Sequence, residues 1–163
     1  MLAAALLALV LLPSTAAAAP RLCSPDVVQQ ALIDAGRLTP QDVGFGVVVD
    51  LVRCGDITSD GHADALFTLA SGGTAGDTRF GVFRGAADGS PGPLVLWRPG
   101  YKVGVARHNR PSFDVLQPHY DADDANCCPS SFRQRRFTWT GKHFRRAKHT
   151  KHLKTAPRRF YHP

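Results

Sequence analysis

An aspartate-rich segment at residues 54–65 carries oxygen donors at alternating positions around Gly61. The candidate ligands are the side chains of Asp56, Thr58, Asp60 and Asp64 and the carbonyl oxygen of His62. Such a donor set suits a hard cation such as Ca²⁺, although this is not an EF-hand, because Phe67 stands where a bidentate Glu belongs. The same residues also suit a plain turn whose Asp side chains accept its own N–H groups. Both interpretations stay open at this stage.

The second chemical feature is a strongly basic C-terminal region. All 13 acidic residues are Asp at or before position 124, whereas residues 125–163 carry eleven Lys and Arg, giving this region a charge of +11. The candidate polyanion-binding residues are Arg133, Arg135, Arg136, Arg145, Arg146, Lys148, Lys151, Lys154, Arg158 and Arg159. They favour binding to wall teichoic acid or anionic lipid headgroups, with nucleic acid unexpected as a physiological partner. The alternative is a solubilising tail behind an ordinary hairpin whose aromatic residues face the core.

The four cysteines predict two disulfide bonds in an exported chain. We favour bonds from Cys23 and Cys54 to Cys127 and Cys128, because a bond between the adjacent Cys127 and Cys128 would close a strained ring. The alternative pairs Cys23 with Cys54 and Cys127 with Cys128. A zinc site is not favoured, because the chain has no C-x-x-C spacing.

The N-terminus predicts export. Residues 2–12 are an uninterrupted apolar run, and residues 16–19 are all Ala. This pattern is typical of a secretory signal peptide, here 1–18, and the run is too short for a membrane-spanning helix. Because Leu22, rather than a small residue, precedes Cys23, we expect a released protein, secreted or associated with the cell envelope, with no transmembrane span.

The elements that must position these residues indicate an α+β fold. Ser24 and Pro25 favour the start of a helix that ends at Gly36. Beyond it, short β-branched and aromatic runs alternate with turn residues, ending in a hairpin over 136–146. We therefore predict one monomeric, disulfide-stabilised α+β domain over 19–148, an antiparallel β-sheet with an N-terminal helix. Residues 149–163 lack an apolar period and are predicted to form a basic disordered tail.

Two resemblances rest on these motifs. The Asp56–Asp64 turn resembles the calcium loops of the FG-GAP/VCBS family, with Thr58 replacing the usual Asp or Asn. The segments 54–65, 71–74, 126–130 and 139–144 together resemble small exported actinobacterial proteins of unassigned role. The second resemblance spans most of residues 50–145 and implies export and a shared fold, but no activity.

These features predict an exported, non-enzymatic module that associates with anionic cell-envelope polymers through its basic C-terminus. One alternative is a Ca²⁺-dependent structural or adhesion domain that uses the aspartate-rich turn. Another is a small secreted hydrolase or an inhibitor of one, although no recognisable nucleophile motif supports it.

Overall fold

The computed structural model describes residues 21–162. Its helices are α1 (Pro25–Asp34) and α2 (Pro40–Gly44). Its strands are β1 (Val48–Gly55), β2 (Asp64–Ala70), β3 (Asp77–Gly85), β4 (Pro91–Pro99), β5 (Gly104–Arg107), β6 (Ser112–His119), β7 (Ser131–Trp139), β8 (Phe144–Arg146) and β9 (Lys151–Leu153). A 3₁₀ helix at Arg158–Phe160 follows them. The predicted signal peptide, 1–18, lies outside the described residues.

Both helices begin where local chemistry favours it. Pro25 occupies the first turn of α1, where its missing N–H costs no hydrogen bond. At α2, the Thr39 hydroxyl accepts the backbone N–H of Asp42, and the Asp42 carboxylate accepts the N–H of Thr39. This reciprocal cap satisfies two of the N–H groups that a helix start leaves unpaired. Within residues 21–162, no helix is long and apolar enough to cross a membrane.

The strands form two antiparallel sheets. The first has the order β1-β2-β3-β4; the second has the order β5-β6-β7-β8, and β9 also pairs with β7. β8 lies beside the C-terminal half of β7 and β9 beside its N-terminal half. The prediction of an antiparallel α+β domain with an N-terminal helix is confirmed, with the β-structure divided between two sheets.

The main core lies between the inner faces of the two sheets. Leu66, Val82 and Leu96 from the first sheet belong to the same buried cluster as Phe113 and Phe137 from the second. The rings of Phe113 and Phe137 stack with their centres 5.3 Å apart. Burial of aromatic and branched side chains on both inner faces holds the sheets together.

Two smaller clusters cover the outer faces. Val28 and Leu32 of α1 pack with Phe67 and Phe83 on the outer face of the first sheet. On the outer face of the second sheet, Phe160 packs with Ala106 and Leu116. The chain thus covers parts of both outer faces with its own terminal segments.

The favoured disulfide pairing is wrong. Cys23 is bonded to Cys54, with their Cα atoms 5.7 Å apart, and Cys127 is bonded to Cys128. Cys23 lies two residues before α1. Because α1 packs on the sheet that contains β1, it brings Cys23 to Cys54 near the end of that strand. The Cys127–Cys128 bond lies in the connection between β6 and β7, which belong to the other sheet.

The predicted disordered tail is also corrected for its described part. β9 pairs with β7, and Phe160 is completely buried. Arg53 of β1 donates hydrogen bonds to the backbone carbonyl oxygens of Arg159 and His162. One aromatic anchor and these carbonyl contacts order a segment whose composition alone predicts disorder.

Candidate anion-binding site

A cleft opens at one end of the space between the two sheets. Its volume is about 510 Å³. The residues that line it come from β3, β4, β6, β7 and β8, and they are Phe80, Arg98, Pro99, Val115, Gln117, Arg133, Arg135, Phe137, Phe144 and Arg146. Four are arginines, and none is acidic. We call this feature the arginine cleft.

The period of β7 explains why two of these arginines face inwards. Side chains two residues apart share one face of a strand. Phe137 belongs to the core between the sheets, so Arg135 and Arg133 lie on the same inner face. β6 shows the same change, because Phe113 and Val115 belong to the core whereas Gln117, which is paired with Arg133, lines the cleft. The inner face thus changes from apolar to basic along β7 and from apolar to polar along β6.

Strand pairing positions the other two arginines of the cleft. Arg146 of β8 is paired with Phe137, and Arg98 of β4 is paired with Phe80. Phe80 and Phe137 contact each other across the two sheets, with ring centres 5.6 Å apart. Arginines from both sheets therefore lie beside the same pair of rings.

The hydrogen bonds of these arginines leave their positive charge unneutralised. Arg133 lies 3.1 Å from the Nε2 atom of His119, and Arg135 donates to the Thr150 hydroxyl over 3.1 Å. Within residues 21–162, neither Arg98 nor Arg146 forms an ion pair or a side-chain hydrogen bond. Clustered cations without carboxylate partners create a positive local potential that attracts anions.

The remaining predicted basic residues lie outside the cleft. Arg136 points to the other face of β7 and binds the buried Asp114 with both ends of its guanidinium group, at 2.9 and 3.3 Å. This is the one ion pair that a member of the predicted set forms in the described chain. The exposed remainder comprises Arg145, Lys148, Lys151, Lys154, Arg158 and Arg159.

The aspartate-rich turn uses its carboxylates to organise its own backbone. The completely buried Asp64 accepts the N–H groups of Ile57 and Thr58, at 2.8 and 2.7 Å, and that of Gly85 at 3.2 Å. Asp56 accepts the N–H of Asp60 over 2.9 Å. These hydrogen bonds are the ones expected of a plain turn whose Asp side chains accept its own backbone N–H groups.

Two arginines also contact this turn. Arg84 binds Asp60 and Arg110 binds Asp56, the second pair at 3.0 Å. Burial alone would raise the pKa of Asp60, but hydrogen bonds from Arg84 and from the His62 N–H outweigh it and lower that pKa. Asp60 and Asp56 are therefore both paired with cations from neighbouring segments.

The predicted metal ligands do not all turn towards one point. The Asp64 carboxylate is directed at backbone N–H groups, and the Thr58 hydroxyl is buried without a hydrogen-bond partner among the described residues. In this part of the chain, no group of three or more His, Cys, Asp or Glu side chains is arranged to hold a metal ion. Calcium binding at the turn stays a prediction.

Sequence reasoning missed Arg98, which lies in an ordinary stretch of β4. Arg98 reaches the arginine cleft only because β4 pairs with β3 and the two sheets pack together. Neither contact can be recognised from the residues around Arg98 in the sequence. Arg133, Arg135 and Arg146 belonged to the predicted set, but the sequence did not separate them from the exposed cations around them. Comparison with known proteins adds nothing to the assignment, because no family model, curated protein or solved structure matches the chain.

Proposed function

We propose that this protein is an exported, non-enzymatic module that associates with anionic, phosphate-bearing polymers of the cell envelope. The observation that carries the proposal is the set of exposed cations on the C-terminal segment, which form no ion pair with a carboxylate among residues 21–162. They follow the Arg136–Asp114 pair along the chain, and no acidic residue occurs after position 124. Three arginines of the arginine cleft, Arg133, Arg135 and Arg146, lie on the second sheet and add to the positive charge of this region.

The proposal follows from the separation of charge along the chain. Residues 1–124 carry thirteen Asp and nine Lys and Arg, whereas 125–163 carry eleven Lys and Arg and no acid. Exposed lysines attract an anionic surface by about 1 kcal/mol each and are screened by salt. A polymer of repeating phosphodiesters offers many weak anionic contacts to such a surface.

The test is retention of the purified protein on immobilised poly(glycerol phosphate) over a salt series. The variant pair Lys148→Ala and Lys154→Ala, made together, removes two exposed cations; Arg21→Ala with Arg37→Ala removes two from the N-terminal region. We expect the first double variant to bind roughly ten- to thirtyfold more weakly at low salt. We expect the control to retain most of its affinity and ~0.5 M salt to abolish binding of every variant.

Three results would overturn the proposal. The first is retention that persists at ~0.5 M salt, and the second is an equal loss in the two double variants. The third is binding to phosphatidylglycerol vesicles or to duplex DNA without binding to the polymer.

A further inference from the structure

We propose that the arginine cleft is a binding site for a diphosphate group whose carrier has an apolar part. This ligand differs from the polymer proposed above, and its site differs from the exposed cations that would hold the polymer. The inference rests on the number of arginines, on their inner-face position and on the rings beneath them.

Two of the cleft arginines lie on the inner face of a strand, next to the core. Arginine is rarely buried in proteins unless it is paired. Arg133 and Arg135 nevertheless occupy half-buried positions on the inner face of β7, four and two residues before the core residue Phe137. Within the described chain, neither is paired with a carboxylate. A site that gathers guanidinium groups next to the core in this way is suited to an anion.

The number of guanidinium groups selects the anion. Each can bind a phosphate through two parallel hydrogen bonds. Two arginines therefore occupy most oxygens of a single phosphate, whereas the cleft offers four, from strands of both sheets. Two adjacent phosphoryl groups offer enough oxygen atoms for four guanidinium groups, whereas one phosphate does not. Their negative charge also matches that of four arginines better than the single charge of a carboxylate does.

The aromatic residues at the bottom of the arginine cleft and the volume of the cleft indicate what kind of group is attached to the diphosphate. Phe80, Phe137 and Phe144 form an aromatic floor, and Val115 and Pro99 extend it. The volume of about 510 Å³ lies within the range of about 300–1,000 Å³ that small-molecule sites span. Inorganic diphosphate alone would leave the floor uncovered. An ester of diphosphate with an apolar ring or chain would contact both the floor and the arginines.

Calorimetric titration of the full mature chain at fixed ionic strength tests the inference. The probes are inorganic phosphate, inorganic diphosphate, ADP, geranyl monophosphate and geranyl diphosphate. We expect at least one of the two diphosphate esters to bind at least tenfold more tightly than inorganic diphosphate, and geranyl diphosphate more tightly than geranyl monophosphate. A preference for ADP would assign an aromatic carrier, and a preference for geranyl diphosphate an aliphatic one.

Exposed arginines provide the variants. Arg98→Ala and Arg146→Ala each remove one guanidinium group from an exposed position, so that at least one is expected to fold normally by its melting temperature. We expect each folded variant to lose at least tenfold in affinity for the better ester, and the control Arg21→Ala to lose none. Unchanged affinity in the folded cleft variants, or equal affinity for phosphate, diphosphate and both esters, would overturn the site.

The two proposals fail separately. The Lys148→Ala and Lys154→Ala double variant is expected to lose polymer retention and keep its affinity for the diphosphate ester. Arg98→Ala is expected to lose the ester and keep most of its polymer retention. A loss of ester binding in the lysine variant equal to that in Arg98→Ala would show general charge attraction and would overturn the cleft proposal alone.

Discussion

Arg53, on β1, donates a hydrogen bond from its guanidinium group to the backbone carbonyl oxygen of Arg159, 106 residues later in the chain. Its Nε atom also donates to the carbonyl oxygen of Val105 over 2.8 Å. One side chain of the first sheet thus connects the second sheet to the C-terminal segment. The carbonyl groups that Arg53 contacts flank Phe160, which packs on the outer face of the second sheet.

Removal of this contact is expected to loosen the C-terminal segment. We predict that Arg53→Ala lowers the free energy of unfolding by roughly 1–3 kcal/mol, because carbonyl groups lose charged donors. Hydrogen exchange followed by mass spectrometry should show faster exchange over residues 158–162. Arg37→Ala, which removes an exposed arginine near α1, serves as the control. Unchanged exchange in Arg53→Ala would contradict the proposed tether.

The two disulfide bonds are expected to contribute unequally. Cys23–Cys54 spans 31 residues, for which the chain-entropy model gives about 3–4 kcal/mol. The double variant Cys23→Ser with Cys54→Ser should therefore melt far below the wild type. Cys127→Ser with Cys128→Ser should melt close to it, because a bond between neighbours closes almost no loop. Similar losses in both double variants would contradict this pairing, and thermal melting in non-reducing buffer measures them.

Asp64 is expected to be the most sensitive position of the aspartate-rich turn. Asp64→Asn replaces one acceptor oxygen by an amide donor that faces backbone N–H groups, so we predict a loss of roughly 2–3 kcal/mol. Asp60→Asn should cost about 1 kcal/mol, because Asp60 is more exposed and accepts a hydrogen bond from only one backbone N–H group among the described residues, that of His62. Urea unfolding of both variants provides the measurement, and a greater loss at Asp60 would count against our description of the turn.

Asp77 is expected to make stability fall as pH rises from about 4 to 6. Burial, with a smaller effect from the charge of Asp50, raises the pKa of Asp77 from 3.8 to about 6. Between these pH values the folded state binds more protons than the unfolded state. The stability that protonated Asp77 contributes is therefore complete below about pH 4 and is lost as pH rises through the folded-state pKa.

The measurement is urea unfolding at several pH values between 4 and 7. We predict that Asp77→Asn becomes more stable relative to the wild type by about 1 kcal/mol as pH rises across this range, a figure reduced for the partial exposure of Asp77. Asp123→Asn, at an exposed position, is the control. A stability difference between wild type and Asp77→Asn that does not change with pH would refute the prediction.

Much of the fold could be predicted from the sequence because its signals are local. Pro25 and the Thr39–Asp42 pair mark helix starts within a few residues, and the β-branched and aromatic runs predict strands wherever a side chain must alternate between core and surface. In the aspartate-rich turn, Gly61 and the short polar side chains likewise predict that the chain bends there. The α+β class, most of the strand positions and the concentration of basic charge after residue 124 follow from these patterns alone, whereas β9 lies in a segment whose composition predicts disorder.

The tertiary structure decided what depends on distant residues. Cys23 meets Cys54 because α1 packs on the first sheet. The C-terminal segment is ordered because Phe160 packs on Ala106 and Leu116, which neighbouring strands of the second sheet bring together. Arg98 joins Arg133 in one cleft because two sheets pack face to face. Strand alternation specifies which side chains share a face, but it does not specify which face lies opposite. That choice is made by non-local packing energy, so the binding site emerges only in the folded molecule.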